Sequence, residues 1–204
     1  MKPDNEIKLS GAALESSSKP IAPDIAADPG TVSAASSTQS KHATLTGDGI
    51  SFSLGKTSEN DASVSVHDVA AFILLRQGEM TAMKLQKLVY YSQAWSLVWD
   101  EAALFEESIE AWANGPVVRS LYNRHQGRFK VTEWNGDPKR LSTTQRDTIE
   151  KVLEFYGPMS SQTLSDLTHQ EAPWREARQG LGPTDRGSRV ISLASMVEYY
   201  SSLA

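Results

Sequence analysis

The run from Thr81 to Trp99, TAMKLQKLVYYSQAWSLVW, restricts what this chain can become more than any other stretch. It holds no Gly or Pro, and Thr81 stands where a helix cap belongs. Leu85, Leu88, Val89, Tyr91, Trp95, Val98 and Trp99 recur at helical spacing. At about 100° per residue, Tyr90, Ala94 and Leu97 fall outside that stripe, so apolar groups surround most of the axis. Such a helix needs other helices on nearly every side, which makes it the expected centre of a domain. Lys84 and Lys87 lie in its first turns, where their stems are expected to cover apolar neighbours while the ammonium groups reach water. Its length of about 28 Å is enough to cross a small domain. Lys84, Gln86, Lys87, Ser92, Gln93 and Ser96 interrupt the apolar run, so it does not read as a membrane span.

The first 60 residues are unlike the rest. Ser, Ala, Thr, Pro, Gly and Asp dominate them, and Phe52 is their one aromatic residue out of the chain's 16. A segment of that composition cannot bury enough apolar surface to offset its ordering entropy, so residues 1–60 are expected to be a disordered leader. Five Lys against seven Asp and Glu leave it at −2, too weak for an acidic tail. Ile50 to Leu54 alternates like a strand, and a sharper reading has it docking on a partner's sheet edge. The 204-residue chain carries a formal −5 overall, which draws it to neither nucleic acid nor anionic lipid. It has no cysteine, which excludes a disulfide framework and suits a reducing compartment. No signal-peptide pattern opens it, so a cytoplasmic protein is expected.

A folded domain is expected over residues 61–204, mainly α, with six to seven helices around the central one and room for a short β-hairpin. Ser65 and Asp68 fit a capping box ahead of the face Val66, Val69, Ala70 and Ile73, and Gly78 stops that helix. After Trp99, Leu104, Phe105 and Ile109 anchor an acidic stretch. Asn114-Gly115-Pro116 reads as a break before a helix from Val117 to about Arg124. Phe129 to Trp134 alternates like a strand or hairpin arm. Ser142 and Gln145 form a second capping box before a helix to Tyr156. Ser160 or Ser161 starts a shorter helix, Pro173-Trp174 opens a further turn or two, and residues 180–187 read as a loop. Ser192 caps the last helix, with Ile191 stapled to Met196 across the cap.

The residues that carry chemistry are sparse. His42, His67, His125 and His169 show no metal-ligand spacing, and no phosphate loop, HExxH or nucleophile elbow is present, so no metal or cofactor is expected. His169 and Glu171 could act as an acid–base pair in a cleft, the basis for reading the chain as a hydrolase. The structural alternative has His169 on a helix-end carbonyl, Trp174 in the core and Pro173 setting the entry angle. Charge is unevenly spread. Residues 100–110 hold five acids and no base, whereas Arg119 to Arg140 hold six bases against Glu133 and Asp137. Two solvated faces or a bipolar surface that steers a protein partner would both explain this. Nothing in the basic stretch has the signature of a nucleic-acid reader. Trp112, Trp134, Arg119, Arg124, Arg128, Tyr199 and Tyr200 are the candidate partner contacts, because interface anchors are commonly aromatic or arginine.

Three motifs in order, KLQKL from Lys84, EAWANGPV from Glu110 and LTHQEAPW from Leu167, resemble the Panacea domain, also called the SocA-like antitoxin domain. The likeness spans about residues 64–201 and implies a mainly helical, non-enzymatic protein. Members of that family neutralise toxins encoded beside them, typically by direct binding. One also serves as an adaptor that delivers its toxin to the ClpXP protease, so a cognate toxin and a protease of that type are the implied partners. Lys84, Leu85, Lys87, Leu88, Trp112, Gly115, Pro116, Thr168, His169 and Trp174 match the shared pattern and are expected mostly to specify the fold, with no catalytic residue to carry over. The long leader departs from the simplest members and resembles no DNA-binding domain.

Overall fold

The computed structural model describes residues 63–204, so the expectations for the leader, for Ile50 to Leu54 and for a boundary at Asp61 fall outside the described residues. Helices dominate, as the apolar periodicity predicts. In chain order the elements are α1 (Val66–Gln77), β1 (Met80–Thr81), α2 (Ala82–Trp99), β2 (Ile109–Trp112), β3 (Gly115–Val118), α3 (Arg119–His125), β4 (Lys130–Val131), a 3-10 turn (Pro138–Arg140), α4 (Thr143–Tyr156), α5 (Ser161–Gln170), α6 (Ala172–Ala177) and α7 (Leu193–Ser201).

Local capping chemistry sets most helix starts. The Asp68 carboxylate accepts from the Ser65 N–H at 3.0 Å, closing the box at the head of α1. Burial raises the Asp68 carboxyl, but hydrogen bonds from the Asp137 and Ser65 backbone, with the Arg140 charge, outweigh it and hold the group below the usual carboxylate range. Thr81 Oγ1 accepts from Lys84 N at 3.1 Å at the head of α2. Ser142, Ser160 and Ser192 do the same for α4, α5 and α7.

α2 lies in the middle, with α1, α4, α5, α7 and β3 packed around it. Leu85, Leu88, Val89, Tyr90, Tyr91, Ala94 and Trp95 are completely enclosed. The Tyr91 ring stacks on Tyr156 of α4 with centroids 3.9 Å apart, and Tyr200 of α7 meets Tyr90, Tyr91 and Trp95 edge-on. Ile191 and Met196 are both buried across the α7 cap, the arrangement expected of a staple. Among the described residues no helix is long and apolar enough to cross a membrane.

Two kinds of feature differ from the sequence expectation, the extent of the strands and the placement of one lysine. The segment read as a break and then a helix from Val117 is an antiparallel hairpin, β2 on β3, with Ile109 opposite Val118 and Trp112 opposite Gly115. Helix α3 starts only at Arg119. The strand expected within Phe129–Trp134 shrinks to β4, which pairs with β1. The second difference concerns Lys87. Its ammonium group does not reach water: the residue is 1% exposed and Nζ donates to the Pro116 carbonyl at 3.1 Å.

Candidate functional site: a cleft at the hairpin

The polar residues of α2 that interrupt its apolar run fasten the irregular segment after it. Gln93 takes the N–H groups of Leu104 and Phe105 on Oε1 and donates to the Phe105 carbonyl. Ser96 donates to the Ala102 carbonyl at 2.9 Å. Gln86 grips the end of β3, accepting from Val118 N at 2.8 Å and donating to Val118 O at 3.2 Å. Each buried side chain satisfies backbone groups that would otherwise lack partners, so none is left to pay the desolvation penalty alone.

Lys87 completes that attachment at the hairpin tip. Gly115 has φ +101° and sits directly on the lysine: a Cβ there would lie 2.7 Å from Lys87 Cε and Nζ and 2.8 Å from Thr168 Oγ1. Thr168 is fully buried and bonds the Ser165 carbonyl at 2.8 Å. Three separated motif positions therefore meet at one point. Gly115→Ala is expected to destabilise the domain by about 2–4 kcal/mol, because an unfavourable φ adds to contacts with two side chains that cannot retreat. Gly127→Ala, also at positive φ but facing open space, should cost only about 1 kcal/mol. Urea titration of both variants checks this; equal costs would show that the contacts at Gly115 are not tight.

The neighbouring motif residues extend the same centre. Trp174 Nε1 donates to the Trp112 carbonyl at 2.9 Å, and His169 stacks on the Trp174 ring at 4.2 Å. Arg178 lies over the Trp174 ring, donating to the Ala111 carbonyl and, through Nη2, to those of Gly182 and Asp185. Burial lowers the His169 pKa, and the nearby Lys87 charge lowers it further. Glu171 does not join His169. It is 2% exposed, and its two oxygens accept from Tyr91 at 3.0 Å and Tyr200 at 2.7 Å. The acid–base pair read from the sequence is thus divided, with the histidine against Trp174 and the carboxyl inside the tyrosine cluster. Among the described residues no group of His, Cys, Asp and Glu could hold a metal ion.

Beside the hairpin lies a cleft of about 620 Å³. Its lining includes Lys87, Trp112, Arg119, Tyr122, His125 and Arg186. Trp112 meets Tyr122 edge-on with ring centroids 4.7 Å apart. Trp112 Nε1 donates to Glu110 at 2.8 Å, and the Arg119 guanidinium clasps both oxygens of that carboxylate at 2.8 and 2.6 Å. Burial raises the Glu110 carboxyl, but the bonds from Arg119 and Trp112 more than reverse this. Burial alone brings Lys87 down to about 7.

The remaining candidates are scattered. Lys84 Nζ donates to the Gly157 carbonyl at 2.6 Å; Leu85 and Leu88 are core residues, and Pro116 is buried. Arg124 and Arg128 are exposed, the former donating to Asn135 O. Trp134 is half-buried and donates to His67 Nδ1; Tyr199 is also half-buried. Tyr200 is wholly enclosed and unavailable to a partner, because its place on α7 faces α2 and its hydroxyl holds Glu171. Sequence reasoning passed over Gln86 and Gln93, whose partners come from later in the chain, and Arg186, which lies in a loop.

No curated protein and no solved structure matches this chain. The family model described as antitoxin SocA-like, Panacea domain, matches residues 85–175, a narrower span than the motifs imply. It takes in nearly all of α2, the whole hairpin and α5, and it ends one residue beyond Trp174. The resemblance carried by the three motifs is therefore borne out: residues 85–175 are similar to the Panacea domain of SocA-like antitoxins.

Proposed function

We propose that this chain is an antitoxin that neutralises a toxin protein by binding it directly, without chemistry of its own, in the cytoplasm. The match of residues 85–175 to the SocA-like antitoxin domain carries the reading. The arrangement of the motif side chains supports it: Lys87, Trp174 and Glu171 are each engaged in fastening one element to another. Arg119, Arg124 and Arg128 stand at the surface, half-buried Trp134 and Tyr199 partly so, as anchors for a partner. A specific complex of this kind would bury about 1,600 Å² in total.

Proteins encoded beside this one, expressed singly in a bacterial host, test the proposal. One of them should arrest growth, and co-expression of the full chain should restore growth while the toxin's mass and abundance stay unchanged. Persisting arrest with the full chain present in soluble form would reject the reading. A fall in toxin abundance would replace simple binding with delivery to a protease.

A further inference from the structure

The cleft at the hairpin has an electrostatic character opposite to that of the chain. The protein carries a formal −5, yet Lys87, Arg119 and Arg186 line this cleft and no Asp or Glu does. A concave site walled by one sign of charge concentrates ligands of the other sign. At about 620 Å³ it is also of the size that ligand-binding sites occupy.

The cations differ in what satisfies them. Arg119 is clasped by Glu110. Arg186 is exposed and has no partner among the described residues. Lys87 is the telling case. Its ammonium offers three donors, the Pro116 carbonyl takes one, and no carboxylate faces it. A buried ammonium without a counter-ion is unfavourable, and a carboxylate held in the adjoining cleft would reduce that deficit.

The loop bearing Arg186 is held in position. Val190 bridges to Glu110 of β2, Arg189 O accepts from Ala111 N at 2.8 Å, and Arg178 takes the carbonyls of Gly182 and Asp185. Gly187 packs so closely that a Cβ there would sit 2.9 Å from the Ala111 carbonyl. Trp112 and Tyr122 supply an apolar wall suited to a short aliphatic stem. Along α3 the positive charge continues beyond the cleft to exposed Arg124 and, just past the helix, Arg128, over ground that a protein would cover and a small anion would not.

We infer that this cleft seats an acidic side chain of the bound toxin, its carboxylate paired with exposed Arg186 in the field of the enclosed Lys87 ammonium and its stem against Trp112 and Tyr122. The inference rests on the toxin-binding reading and names the chemistry of that contact.

Two measurements test it separately from that reading. In the first, N-acetylglutamate N-methylamide is titrated into the full chain and followed by NMR at the Trp112 indole N–H and the Lys87 side chain. A saturable millimolar shift at both is expected, weakened about tenfold or more by Arg186→Glu. Arg186 is exposed, so this variant should fold; Lys87→Met, checked by thermal unfolding, is the second. The absence of a saturable shift in the wild-type chain would overturn the inference. In the second, Arg186→Glu should lose neutralisation of the toxin, and a Glu→Arg or Asp→Arg change in the toxin should restore it. A wild-type chain that neutralises nothing refutes the toxin reading, whatever the first titration gives. A wild-type chain and an Arg186→Glu variant that neutralise equally well refute the cleft. Probe binding that the toxin does not compete away would assign the cleft to a free small carboxylate and overturn its assignment to a protein.

Discussion

Replacing Trp95 with alanine is expected to cost about 3–5 kcal/mol of folding stability, close to the whole margin of an ordinary domain. Trp95 is completely enclosed at the middle of α2. Its ring stacks on Trp99 at 4.7 Å and meets Tyr200 edge-on at 5.4 Å, and its Nε1 donates to the Tyr156 hydroxyl at 3.1 Å. Removing it opens a cavity between α2, α4 and α7 and strips a buried hydroxyl of its donor. Neither loss can be repaired by collapse, because the neighbouring rings are locked by their own stacking. Trp95→Phe should cost less, since an aromatic ring still fills most of the volume. Trp99→Ala should also cost less, because Trp99 is only half-buried at the helix end. Urea unfolding followed by far-UV circular dichroism checks the order. A loss of under about 1 kcal/mol for Trp95→Ala would mean that α2 is not the hub around which the other helices pack.

Trp95 was legible from the sequence because its signal is local. Periodicity over a single helix shows that α2 is apolar on most sides, and the short-range patterns Ser65-Asp68, Thr81-Lys84 and Ser142-Gln145 announce helix starts within a few residues. The three motifs likewise point to the region that the family model matches. What escaped depends on partners far along the chain. Lys87 reads as a surface lysine until Pro116, 29 residues on, is seen to hold its ammonium. The hairpin was hidden for a related reason. Asn114-Gly115 signals a tight turn, but the turn residues are Ala113 and Asn114, with Gly115 already paired to Trp112. Among the described residues Glu101 is the one non-glycine with positive φ, so this is not the mirror-image turn that an Asn-Gly pair at its centre would form. The cleft is less legible still: Arg186 lies more than 60 residues from α3 and comes beside it because segment 189–191 attaches to β2.

Glu171→Gln is expected to change how stability depends on pH, and the sign follows from where the carboxyl sits. Burial among Tyr91 and Tyr200 brings its pKa up to about 7 from an ordinary 4.5, despite two hydroxyl donors that pull it down. Below pH 4.5 the folded and unfolded chains both hold the proton, and the group costs nothing. Between 4.5 and 7 the unfolded chain has released it while the folded chain keeps it, so folding loses about 1.4 kcal/mol per pH unit. Above 7 the loss is complete at about 3 kcal/mol. Glutamine has nothing to titrate, so the stability of the variant relative to the wild type should climb by that amount from pH 4.5 to 7 and then stay level. His67, His125 and His169, whose pKa values burial lowers, are common to both chains and cancel in the difference. Lys87→Met gives the opposite pattern, since burial brings that ammonium down to about 7 from 10.5. The wild type loses stability as pH falls through that interval, so this variant should gain on it from pH 10.5 down to 7. Urea titrations at pH 4.5, 7 and 9.5 separate the two groups. A Glu171→Gln difference that stays flat across these values would show that the carboxyl is hydrated, and that water enters the tyrosine cluster joining α2, α4 and α7.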